Sequence, residues 1–295
     1  MKKFLLAGIA FGALVLPAAA ADMPIKAPAP VAVDIWTGGY VGANIGYGWG
    51  RDRIDSEGAA GTCSSLALGC IVGPNGYSAL SAQAATFKTS VDRSGLIYGG
   101  QAGHNWLLHN MFWNWDGVLG VEVDYQGLSD RHTTSLTTTA PSAFFPAFPI
   151  TQTATMSDRL NSFGTLRGRA GLLWGPSTLL YATAGVAFAN ARTNVAITQS
   201  IPPVPPTVAP YGFAAQSTQE LFGPTIGVGA EWKWTANWSV KAEYLYADLY
   251  SMTLNGSLVS PFFGLGAGTF SSANVNYNTR YHENVARVGV NYRLP

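Results

Sequence analysis

Charge is scarce in this chain: 11% of its 295 residues are Asp, Glu, Lys or Arg, and the 17 basic residues nearly cancel the 16 acidic ones. A nucleic-acid surface or a polybasic membrane attachment needs a basic excess, so neither is expected. Cysteine is limited to Cys63 and Cys70. The four histidines, His104, His109, His132 and His282, are scattered, without the close spacing of a zinc site. No metal and no cofactor are expected. Beyond the first residues no uninterrupted apolar run reaches the roughly 18 residues of a membrane helix, which excludes helical spans. Aromatics, by contrast, make up 12% of the chain and recur at regular places, unlike in a disordered polymer.

The beginning of the chain reads as an address. Lys2 and Lys3 precede an apolar run from Phe4 to Leu16 and then Ala18-Ala19-Ala20-Ala21, the pattern of a secretory signal with a small-residue cleavage site. Residues 1–21 are therefore expected to be removed, which leaves the net charge close to zero. Residues 22–35, with Pro24, Pro28 and Pro30 among alanines, form a spacer, and 36–295 form one domain. An oxidising destination and an even cysteine count favour a loop disulfide between Cys63 and Cys70.

Period-two alternation dominates the rest of the chain. In Leu160–Trp174, Leu160, Ser162, Gly164, Leu166, Gly168, Ala170 and Leu172 fall on one side, and Asn161, Thr165, Arg167 and Arg169 on the other. After the reversal Gly175-Pro176-Ser177, Leu180, Ala182, Ala184, Val186 and Phe188 repeat the apolar face. The same reading gives strands over Trp36–Trp49, Gly95–Leu107, Val118–Leu128, Phe222–Trp232, Trp238–Leu249 and Asn284–Leu294, eight in all. Glycine clusters such as Gly99-Gly100-Gln101-Ala102-Gly103 have a phosphate-loop look, but no helical pattern comes after them.

Two regularities choose between a soluble sandwich and a membrane barrel. The gaps alternate: short after the second, fourth and sixth strands, long at Gly50–Ser94, Ser129–Arg159, Ala191–Leu221 and Tyr250–Glu283. An all-β, eight-stranded antiparallel up-and-down transmembrane β-barrel has this rhythm, with short periplasmic turns and long external connections. Second, Glu122, Asp124, Arg167, Arg169, Glu231, Lys241, Glu243, Arg287 and Arg293 all fall opposite the apolar faces. In a barrel just wide enough for side chains to fill, they can form an ion-pair network in the lumen. Trp36, Trp106, Trp113, Trp115, Trp174, Trp234 and Trp238 lie near the short turns or the leader, as an aromatic belt at the periplasmic interface would.

The segments WTGGYVGANIGYGWG, FGTLRGRAG followed by LLYATAGVAFA, and the closing VARVGVNYR, with the Ala-Asp-x-Pro leader, resemble the alphaproteobacterial outer-membrane immunogenic proteins. These belong to the wider set of OmpA-like and opacity-protein-like barrels. The resemblance implies the outer membrane of a Gram-negative bacterium, contact with outer-membrane lipid and insertion by the barrel-assembly machinery. It also suggests attachment to peptidoglycan through the Ala21-Asp22 leader. Such barrels usually end on an aromatic residue; here the end is Tyr292-Arg293-Leu294-Pro295, with Val290, Tyr292 and Leu294 in the alternating register.

The expected function is structural: envelope integrity and display of surface loops, the alternative being a narrow porin-like channel or a small-ligand-binding barrel. An enzyme is not expected. Asp130 with His132 and His282 with Glu283 are polar pairs at the external rim, but no motif frames a nucleophile. Ile201–Pro210 is expected to stiffen a loop, the alternative being a polyproline docking segment, and Phe144, Phe145, Phe148, Phe262 and Phe263 are expected to give two loops apolar tips.

Overall fold

The computed structural model describes residues 34–63, 77–129, 132–141, 149–200, 210–261 and 270–295. Strands β1 (Gly38–Cys63), β2 (Phe87–Phe112), β3 (Trp115–Ser129), β4 (His132–Ala140), β5 (Ile150–Trp174), β6 (Thr178–Ser200), β7 (Tyr211–Lys233), β8 (Trp238–Pro261) and β9 (Phe270–Arg293) make one antiparallel sheet, with one helix, α1 (Tyr77–Ala85). β1 pairs with both β2 and β9, and β3 pairs with β5, so the sheet closes into a ring. The signal expected over residues 1–21, the spacer expected over 22–35 as far as residue 33, and the Cys63–Cys70 pairing lie outside the described residues.

Nine strands occupy eight wall positions. β3 runs along β5 from Gly117 opposite Leu172 to Gly127 opposite Ser162, and β4 continues along the same strand from His132 opposite Asp158 to Ala140 opposite Ile150. β3 and β4 are thus two halves of one position, and the eight-stranded expectation holds.

The strands are longer than alternation alone predicts. β1 and β2 have 26 residues each, and the expected long gaps are largely strand: the β1–β2 ladder extends to Ser56 opposite Phe87, and the β5–β6 ladder to Thr151 opposite Ser200. At about 3.3 Å per residue and a tilt near 40°, such strands give a wall on the order of 60 Å tall. The apolar band of an outer-membrane barrel is only about 25 Å. The additional halves carry Thr, Ser, Asn and charged residues on the outer face, so alternation of hydrophobicity disappears although the pleat continues.

Outside, the exposed aliphatic residues Val41, Ile45, Val121, Val123, Leu166, Val186, Ile226, Val228 and Val288 form the band. Exposed aromatics bound it: Trp106 to Tyr98, Trp115 to Tyr125 and Trp232 to Phe222 are separated by about ten residues, the length a tilted strand needs to cross a hydrocarbon core. The reversal at the short-turn end of β5–β6 uses Gly175 with φ +72, a conformation that glycine adopts without strain.

The lumen is layered. Nearest the short turns, Trp36, Val118, Leu179 and Tyr181 form an apolar collar, with Ile35, Leu107 and Leu173 against it. A charged layer comes next. Beyond it lies a second apolar layer that includes Ile97, Leu160, Phe163, Leu221, Leu245, Leu249 and Val285. The far end is filled by α1. Ala82 and Ala85 pack among Ile54, Val91, Ala154, Val195, Ile197, Leu258 and Val275, which come from β1, β2, β5, β6, β8 and β9. Leu80 and Ala84, one turn apart, pack on Ala140, Ile150 and Tyr211. Ser81 Oγ donates to Gln199 Oε1 (2.5 Å), and Gln199 Nε2 returns a bond to the Ser81 carbonyl (2.9 Å).

Leu160 departs from its expected face. The β5–β6 register shifts between Leu160 and Ser162. This bulge turns the even positions inward on the far side, so Leu160 is fully buried in the lumen while Leu166 faces out.

Candidate functional site in the barrel lumen

The charged layer is built by alternation on β3, β5, β7, β8 and β9. Glu122 and Asp124, Arg167 and Arg169, Glu231, Lys241 and Glu243, and Arg287 project inward from these strands, and all eight are buried. Gly46 provides part of the space. A Cβ there would run into the Ala286 carbonyl oxygen and stand 2.6 Å from Arg287 Cβ, so a larger residue would collide with the strand that carries Arg287.

Arg167 is the hub. Its Nη1 donates to Glu243 Oε1 (2.7 Å) and Thr183 Oγ1 (2.9 Å), its Nη2 to Glu122 Oε1 (2.6 Å) and Asp124 Oδ2 (3.0 Å), and its Nε to Thr165 Oγ1 (2.8 Å). Lys241 Nζ bonds both oxygens of Glu122 at 2.7 and 2.8 Å. Arg287 bonds Glu243 through Nε (2.8 Å) and reaches Asp124 Oδ2 through Nη2 (2.8 Å). Arg169 donates to Glu231 (2.6 Å) and to the Tyr40 hydroxyl (3.1 Å), while its guanidinium lies 4.2 Å from the Tyr181 ring centroid. The Tyr40 hydroxyl in turn donates to Glu122 Oε2 (2.6 Å).

Four cations meet four carboxylates, so the layer is neutral as a unit. Such close charge-assisted pairing offsets the cost of removing each ion from water. Chemically, the arrangement supplies a cross-link between five strands. Each carboxylate is engaged by cations or hydroxyls, which leaves none poised as a general base.

Arg293 is not part of this layer. It is half-buried at the short-turn rim, where its amide donates to Asn237 O (2.8 Å); the strand ends there and the alternating face runs out of lumen. Trp36 is not in the outer belt either. It is 3% exposed, donates Nε1 to the Pro176 carbonyl (3.1 Å) and lies under Lys233 Nζ at 4.9 Å. It precedes β1, so no pleat forces it outward. Trp106, Trp113, Trp115, Trp174, Trp234 and Trp238 are exposed on the outer surface near the short turns.

Two parts of the lumen escape sequence reasoning. Polar neighbours complete the charged layer: Ser239 Oγ donates to Glu231 (2.5 Å), and Asn291 Nδ2 to the same oxygen (3.2 Å). Tyr40 lies on the polar face of the first strand, which is the one available signal. Further along the lumen, Arg93 bonds Asp52 and, at 3.1 Å, Glu283, with its guanidinium 5.5 Å from the Tyr281 ring centroid. Asp52 and Arg93 fall in an expected gap, so their inward pleat is invisible in the sequence.

The pleat divides the rim pair of His282 and Glu283. Glu283 is buried toward Arg93, whereas its neighbour His282 faces outward beside Tyr246 and Asp248. His132 Nε2 lies 3.0 Å from the Ser94 carbonyl oxygen and 3.1 Å from its amide. Asp130 is outside the described residues.

The outer membrane protein β-barrel domain model matches residues 9–293. The 31 kDa outer-membrane immunogenic proteins of Brucella melitensis and Brucella suis are 28% identical over 307 residues, covering 100% of both chains. Among solved structures, OprG from Pseudomonas aeruginosa is similar at TM-score 0.35 and 11% identity, over 88% of this chain and 98% of that one. Ail of Yersinia pestis is similar at TM-score 0.29 and 10% identity, over 87% and 99%.

Proposed function

This chain belongs to the outer-membrane β-barrel domain family and resides in the outer membrane of a Gram-negative bacterium; from that premise we propose that it acts as a closed structural barrel. It reinforces the envelope and carries a rigid external turret. The observation that carries this reading is the order of the lumen layers. The neutral ion-pair layer is capped on one side by Trp36, Val118, Leu179 and Tyr181 and on the other by Ile97, Phe163, Leu245 and Val285. An ion entering from either side would shed water against an apolar collar before meeting a paired charge. At the short-turn mouth, the cavity bounded by Trp36, Tyr40, Glu231, Lys233 and Arg293 holds about 10 Å³, room for one water.

Strands that continue past the membrane support display, and the relatives' description as immunogenic fits a surface position. A channel is the competing reading. Purified full-length protein in planar bilayers separates the two: silence is expected, and steady unitary openings abolished by changing Arg167 or Arg169 would replace the structural reading with a pore. Attachment to the cell wall through Ala21-Asp22 belongs to the same reading. Mass spectrometry of the mature amino terminus should find a cell-wall fragment there.

A further inference from the structure

Two arginine pairs on the outer wall set like charges against each other. Arg159 on β5 stands directly opposite Arg192 on β6, and Arg53 on β1 directly opposite Arg280 on β9. Cross-strand partners have Cβ atoms about 5 Å apart, where like charges repel. In the ring the β5–β6 and β9–β1 seams are separated by four strand positions in either direction, so the pairs lie on opposite sides of the barrel.

Their partners are few. Among the described residues Arg159 forms no ion pair, and its Nε is buried without a hydrogen-bond partner. Among the described residues Arg192 donates to the neutral Gln216 Oε1 (2.8 Å) and to no carboxylate. The outward carboxylate on the neighbouring strand, Glu220, accepts from Asn190 Nδ2 (2.9 Å), and Asn190 Oδ1 accepts from Asn161 Nδ2 (2.7 Å). Arg53 likewise has no ion pair among the described residues, while Arg280 is held by Asp248 (2.8 Å).

Their depth is the same. Arg53 follows the outward Trp49 by four residues, and Arg192 follows the outward Phe188 by four. At about 3.3 Å per residue and a tilt near 40°, both pairs lie on the order of 10 Å beyond the aromatic edge of the apolar band. That is outside the hydrocarbon core, and a long arginine side chain can reach back from there to headgroup level.

We infer that these arginine pairs bind the phosphate groups of outer-leaflet amphiphiles, one on each side of the barrel. A tetrahedral phosphate anion between two guanidinium forks converts a like-charge contact into two charge-assisted bonds. Acyl chains of the same molecule would lie against the apolar band directly beneath. The Arg159–Arg192 pair, with no carboxylate engaging it among the described residues, is the stronger site. The inference rests on the outer-membrane position and not on the closed lumen, so a conducting barrel would leave it standing.

Full-length protein in a neutral detergent, titrated with phosphatidylglycerol or phosphatidylcholine and read by native mass spectrometry, tests it. Retention of phosphatidylglycerol at least fivefold above phosphatidylcholine is expected. R159Q/R192Q should lose the larger share, and adding R53Q/R280Q the remainder. R192E guards against misfolding: its carboxylate pairs with Arg159, the heat-dependent gel shift of the folded barrel should persist, and lipid retention should fall as in R159Q/R192Q. Equal retention by wild type and the quadruple variant, or by wild type and R192E, would overturn the inference. So would displacement of the lipid by millimolar inorganic phosphate alone, since that marks a free-anion site.

Discussion

Glu122 and Arg167 stand opposite each other in the β3–β5 ladder and are joined at 2.6 Å, Oε1 to Nη2, in a lumen that excludes water from both. The register of two strands thus fixes the hub of the charged layer. Glu243 reaches the same guanidinium from across the ring. Closure of the barrel and completion of the ion network are one event.

Removing that hub should be costly. Arg167→Met leaves Glu122, Asp124 and Glu243 with a surplus of buried negative charge, and breaking such a set by deleting one partner costs about 3–5 kcal/mol. Urea unfolding in micelles, followed by the gel mobility of the folded form, should show the loss. Arg167→Lys should recover only part of it, because an ammonium cannot place a fork on two carboxylates.

Tyr40→Phe removes the donor to Glu122 and the acceptor of Arg169 while keeping the ring. A loss of about 1–3 kcal/mol is expected in the same assay. An unchanged midpoint would mean that Arg167 and Lys241 satisfy Glu122 without the hydroxyl.

Gly46→Val should block assembly rather than weaken it. The added atoms collide with the Ala286 backbone and Arg287, so β1 cannot seat against β9, the pairing that closes the ring. The fraction reaching the heat-modifiable folded form should drop sharply, with the residual barrel intact by circular dichroism.

The β7–β8 ladder stops early: pairing runs from Lys233 opposite Ser239 to Thr225 opposite Ala247 and no further. Pro224, which has no amide hydrogen, sits at the fork, and β8 carries a bulge between Leu249 and Met252. Hydrogen exchange should therefore be faster in β7 over 212–222 than in β6 over 188–198, although both lie at the same height. Equal protection would indicate that the two edges pair in solution.

Within the membrane band the sequence is readable residue by residue. Lipid on one side and a crowded lumen on the other sort Val121 from Glu122 and Ala170 from Arg169 without ambiguity. Outside the band that contrast vanishes. Arg53 and Asp52, or Asn278 and Thr279, are polar on both faces of the pleat, so β1, β2, β8 and β9 read as ending about halfway along. Leu160 escapes for a different reason: a bulge changes the parity of a strand and leaves no mark in hydrophobicity.

Alternation, the short turns and the balanced charges on one face are enough to specify a closed eight-position barrel with its apolar side to lipid, because those properties depend only on neighbours along a strand. What the tertiary structure decided was everything set by contacts between distant strands. It stacked apolar collars above and below the ion pairs, drew Trp36 into the mouth, threaded α1 into the far lumen and set Arg159 against Arg192. Register and bulges determine which residues meet across a ring, and neither is written in the periodicity of a single strand.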